Sequence, residues 1–100
     1  MRLTPPQIDA IIQTVSRLTG GTAEVFLFGS RLDDRARGGD IDLLILTRTP
    51  LALVERARIK MELESLVSLP VDIISQVRNS TPTPFQRIAW ANAVRLEPLL

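Results

Sequence analysis

The run Asp40-Ile41-Asp42-Leu43-Leu44-Ile45-Leu46 constrains this chain more than any other stretch. It reads as a strand over 40–46, and strand geometry alternates side chains between two faces. Asp40 and Asp42 therefore share one face, with Cα atoms about 6.5–7 Å apart, while Ile41, Leu43 and Ile45 point to the other. Two neighbouring carboxylates repel and raise each other's proton affinity unless a cation neutralises them. Mg²⁺ suits such a pair, because it binds a few carboxylates and leaves its other positions to water and phosphate oxygens.

Composition narrows the choice of metal and partner. The chain has neither His nor Cys, which removes imidazole bases, thiol nucleophiles, disulfides and nitrogen or sulfur metal sites together. A hydrophobic share of 45% beside 23% charged residues is ordinary for a globular chain and argues against disorder. The formal net charge of +1 gives no reason to expect direct nucleic-acid binding. The sequence shows no membrane-length apolar run, and MRLTPPQIDA lacks a signal peptide's apolar region, so a cytoplasmic protein is expected.

Thr4, Pro5 and Gln7 form a T-x-x-Q helix start, followed by Ile8, Ile11, Ile12, Val15 and Leu18 at helical spacing and by Gly20-Gly21. Glu24 to Phe28 reads as a buried strand. Arg31 to Arg37 is polar and suited to a short helix, and Gly38-Gly39 is loop. Thr49-Pro50 predicts the start of a second helix reaching about Leu69. Its apolar residues fall in two sectors: Leu53, Val54, Ala57 and Met61 in one, Ile59, Leu63, Leu66 and Val67 in the other. One sector can cover a sheet while the other meets a partner, in a homo- or hetero-oligomer.

Val71 to Val77 reads as a third strand. Thr83 and Gln86 repeat the helix start, and Asn92 is suited to a left-handed cap. Val94 to Leu96 can form a last strand. The order α-β-β-α-β-α-β predicts one α/β (α+β) domain over 1–100, a mixed β-sheet flanked by helices.

Asp72 lies between Val71 and Ile73 where strand propensity disfavours Asp, so it needs a cation or a strong hydrogen-bonding partner. Gly29-Ser30 ends the first strand and would let the backbone approach a phosphate, offering amide N–H groups and a hydroxyl. Arg31 can add a bidentate phosphate contact. Taken singly, Gly-Ser is a plain turn and Asp-x-Asp a solvated strand edge. Asp33, Asp34, Arg35 and Arg37 read as solvated loop charges, and Trp90 as a core or interface residue.

Gly29-Ser30, nine residues, Asp40-Ile41-Asp42-Leu43, then Val71-Asp72-Ile73 about thirty residues on, together resemble the nucleotidyltransferase superfamily of DNA polymerase beta. The short length and the GSR and PFQRIA segments look most like the minimal nucleotidyltransferases of prokaryotes. The resemblance implies a polymerase-beta-like fold and catalytic Asp40, Asp42 and Asp72. By the same resemblance, Asp40 and Asp42 would bridge two Mg²⁺ ions, and Asp72 would join the ion that activates an acceptor hydroxyl. Gly29, Ser30 and Arg31 would hold the phosphates of ATP.

The minimal family further implies an antitoxin that transfers AMP to a tyrosine of a HEPN-domain toxin. The chain's length leaves little room for a separate substrate-binding domain, which fits an acceptor protein that brings its own surface. Two other readings stand beside it. One is transfer to a small molecule, as in antibiotic-modifying enzymes; the other is a binding-only antitoxin or subunit that neutralises its partner by contact.

Overall fold

The computed structural model describes residues 3–29 and 39–97. The first helix, α1 (Pro5–Thr19), begins as the capping box requires. The Thr4 hydroxyl accepts the Gln7 N–H at 3.3 Å, and the Gln7 side chain accepts the Thr4 N–H at 2.9 Å. It ends at Gly20, whose φ of 71° places it in the left-handed region that stops a helix. After it come β1 (Glu24–Phe28), β2 (Ile41–Thr47), α2 (Leu53–Val67), β3 (Val71–Val77), α3 (Pro84–Ala91) and β4 (Val94–Arg95).

The element order is the expected one, and the sheet is mixed. Its strands lie in the order β3-β2-β1-β4. β1 runs antiparallel to both β2 and β4, whereas β2 and β3 are parallel. A parallel pair needs a crossover between its strands, and α2 supplies it.

Alternation divides the sheet into two faces. Val25 and Leu27 of β1, Ile41, Leu43 and Ile45 of β2, and Val71 of β3 join one buried cluster with Ile11 and Val15 of α1 and Ile59, Leu63 and Val67 of α2. Phe26, Leu44 and Ile74 line up across the opposite face. α3 reaches that face through Trp90, whose ring meets Phe26 edge-on at 4.5 Å between centroids. The Trp90 indole N–H donates to Gln76 Oε1 at 2.6 Å, which gives Trp90 a packing role and satisfies its polar atom.

Four expectations need correction at their edges. α2 starts at Leu53 rather than at Pro50, and Ala52 precedes it. Alanine offers no capping oxygen, but the Ala52 N–H donates to Glu55 Oε1 at 3.2 Å, so the third helical residue caps the helix from inside. Thr49 is instead tied back to the preceding strand, its carbonyl accepting the Thr47 hydroxyl at 2.7 Å. Asn92 is not left-handed, with φ −127°, and its N–H returns to the Trp90 carbonyl. β2 begins one residue after Asp40, and β4 stops at Arg95.

The two sectors of α2 separate cleanly except at one residue. Ile59 and Leu63 are fully buried, so this sector belongs to the core, yet Leu66 from the same sector is 59% exposed. Leu53, Val54 and Met61 are exposed and form the sector available to a partner. No helix among the described residues is long and apolar enough to cross a membrane. Leu63→Ala should lower the free energy of unfolding by about 2–5 kcal/mol, whereas Met61→Asp should change it by less than about 0.5 kcal/mol, both read by equilibrium denaturation.

Candidate active site

The parallel register sets Asp42 of β2 directly beside Asp72 of β3. The antiparallel register sets the same Asp42 opposite Phe28, the last residue of β1. Gly29 follows Phe28, so the end of β1 and the beginnings of β2 and β3 meet at one edge of the sheet. Asp40 stands just ahead of β2 and is exposed.

Gly29 has φ of +80°, a conformation that costs an L side chain about 1–2 kcal/mol. Space gives a second reason for glycine. A Cβ there would lie 2.2 Å from Asp42 Oδ2 and 3.2 Å from Asp42 Cβ, far inside contact distance. Gly29 thus closes against the Asp42 carboxylate with backbone alone.

The Asp42 carboxyl is pushed above the ordinary carboxylate range, first by partial burial, then by the charge of Asp72, then by that of Asp40. All three expected aspartates therefore act electrostatically at one place. The Lys60 ammonium lies 3.9 Å from Asp72 Oδ1. Among the described residues no three carboxylates are gathered closely enough to enclose a metal ion by themselves. An open, all-oxygen set of this kind fits Mg²⁺, which completes its coordination with phosphate and water. Ser30 and Arg31, and the loop charges Asp33, Asp34, Arg35 and Arg37, lie outside the described residues.

The nucleotidyltransferase domain family matches this sequence over residues 8–96. The chain belongs to that family. A solved chain assigned as a minimal nucleotidyltransferase is 30% identical and superposes on this nucleotidyltransferase with a TM-score of 0.67, covering 88% of this chain and 87% of the other. A crystal structure of the MntA-HpeT toxin-antitoxin, in a variant with two aspartates changed to glutamate, superposes with a TM-score of 0.71 at 20% identity, covering 97% of this chain and 75% of that one. At that identity the second likeness is one of fold. No curated protein matches the sequence. Nucleotidyltransferase domains generally act on nucleoside triphosphates with a divalent metal, and the donor set beside Gly29 is of the corresponding chemical kind.

Sequence reasoning missed Lys60 and Glu64 of α2, which bond to the strand residue just before Asp72. Their four-residue spacing was visible as an ordinary helix-surface ion pair. Its direction, toward the edge of β3, was not.

Two outcomes follow for this nucleotidyltransferase. Gly29→Ala should cost about 1–2 kcal/mol in chemical denaturation through its backbone conformation, and displace the Asp42 side chain. For Asp42 the folded pKa is raised, so the folded state is favoured below the ordinary carboxyl pKa of 3.8 and loses that advantage as pH rises through the folded value. In chelator-treated protein, Asp42→Asn should raise the melting temperature at pH about 7, and the gain should disappear below pH about 4.

Proposed function

We propose that this chain transfers AMP from ATP to a hydroxyl of a partner protein, a tyrosine of a HEPN-domain toxin, and so serves as the antitoxin of a cytoplasmic toxin-antitoxin pair. The observation that carries the reading is the parallel register of Asp42 and Asp72, with Asp40 and the Gly29 backbone at the same sheet edge. The family supplies the class of reaction. The fold shared with MntA of a toxin-antitoxin supports the choice of acceptor.

Asp40, Asp42 and Asp72 would hold two Mg²⁺ ions. When bound, these ions would lower the pKa of the attacking hydroxyl and neutralise the triphosphate and the departing pyrophosphate. The chain's own residues do the rest. The backbone at Gly29 would offer amide N–H groups to a phosphate beside Asp42, and Ser30 and Arg31 would extend this phosphate role along the sequence. Asp72 is the more exposed of the two paired aspartates and stands where an acceptor can approach from solvent. It would orient the hydroxyl and take its proton as the new oxygen–phosphorus bond forms. The bond from the α-phosphorus to the bridging oxygen then breaks, and pyrophosphate leaves with that electron pair.

The test uses ATP labelled at the α-phosphate, Mg²⁺ and the partner protein that co-purifies with the chain. Label should appear on the partner, and Asp42→Asn or Asp72→Asn should reduce it by about 100-fold or more. Label on neither protein would contradict the reading, while a small molecule that accepts the label would favour the antibiotic-modifying type. If Asp40→Ala combined with Asp42→Ala still protects cells from the toxin, neutralisation proceeds by contact alone.

A further inference from the structure

Among the described residues, strand β3 lies at the edge of the sheet and pairs with β2 alone, so backbone groups of alternate residues face away from the described strands. At Val71, the residue before Asp72, side chains of α2 occupy both groups. Glu64 accepts the Val71 N–H at 2.8 Å, and the Lys60 ammonium donates to the Val71 carbonyl. Lys60 and Glu64, one helical turn apart, bond each other at 3.3 Å. The same ammonium lies at ion-pair distance from Asp72, 3.9 Å from Oδ1.

An ammonium has three donors arranged around one nitrogen, and Lys60 faces three acceptor groups, on Val71, Glu64 and Asp72. Lys60 is the single lysine in a chain with eleven arginines. A guanidinium spreads its donors in a plane and does not serve acceptors converging on one point in the same way. The Glu64 carboxyl is held below the ordinary carboxylate range, first by the Val71 N–H and then by Lys60.

We propose that Lys60 and Glu64 are positioning residues, a clamp that completes the open edge of β3 at Val71 and aims the Asp72 carboxylate at the place it shares with Asp42. The proposal rests on the reading of Asp42 and Asp72 as ligands of a divalent cation. The need for a clamp follows from the location of Asp72. Its side chain is 59% exposed, one residue from the start of an edge strand, where water competes for the carboxylate and local opening is easy. Positioning before substrate arrives removes an ordering cost from the reactive complex.

The experiment adds Mn²⁺ with ATP to the nitrogen-15-labelled chain and follows paramagnetic broadening of the Asp42 and Asp72 amide signals. The ratio of the two does not depend on how much Mn²⁺ is bound. In the unaltered protein both signals broaden. Lys60→Met should lower broadening at Asp72 relative to Asp42 by a factor of about two or more, because the effect falls steeply with distance and a misplacement of about 1 Å suffices. Glu64→Ala should shift the ratio in the same direction and speed hydrogen exchange of the Val71 amide, so either variant carries the test if the other fails to fold. An unchanged ratio in both variants overturns the clamp and leaves the site reading standing. Broadening of neither signal in the unaltered protein overturns the site reading, and the clamp with it.

Discussion

Everything at the candidate site depends on how β2 and β3 are aligned. Ile41 pairs with Val71, and the Ile41 N–H reaches the Pro70 carbonyl at 2.9 Å, which starts the ladder with Asp42 beside Asp72. Ile41, Leu43 and Val71 are fully buried on the helical face. Slipping the pairing by one residue would send an aspartate to that face and an aliphatic side chain to water. Burial of each Val, Leu or Ile is worth about 1.5–3 kcal/mol, and Ile41, Leu43, Ile45 and Val71 together outweigh the few kcal/mol by which two carboxylates near a surface repel, so the apolar face decides the register. The like charges are neighbours because their hydrophobic neighbours leave no other arrangement.

The two faces of the sheet divide the work. Helices α1 and α2 bury one face, and with it the residues that make the chain fold. The other face carries Phe26, Leu44 and Ile74 toward its middle, where Trp90 reaches from α3, and Asp42 with Asp72 at its rim. Aspartates at a rim keep contact with water and with incoming ligands, which limits the desolvation cost that the Asp42 carboxyl already shows. Gly29 belongs to the same economy of space, since its missing side chain is what allows β1 to end against Asp42.

Much of this was legible in the sequence because it rests on local chemistry. The Thr4–Gln7 and Thr83–Gln86 boxes form as their spacing requires, and the strand alternation from Ile41 correctly divides the aspartate from the apolar residues. Local cues failed where a competing contact intervened. Thr49-Pro50 looked like a helix start, but Thr47 captures the Thr49 carbonyl and Glu55 caps the helix later. Leu66 shares a helical sector with Ile59 and Leu63 yet emerges at its exposed border. For the site, Asp42 and Asp72 could be named from sequence, but their direct pairing is a property of the register. The contacts of Lys60 and Glu64 depend on the distance between a helix and a strand edge, which no spacing along the chain records.

The central claim is that the paired Asp42 and Asp72 form a centre for a divalent cation and a nucleoside triphosphate. A crystal structure of the chain grown with Mn²⁺ and a non-hydrolysable ATP analogue tests it most directly, since anomalous scattering locates the metal without reference to the protein. The account predicts an anomalous peak within coordination distance of carboxylate oxygens from both Asp42 and Asp72, with the triphosphate passing beside Gly29. A nucleotide bound elsewhere, or a peak that touches neither aspartate, would contradict it.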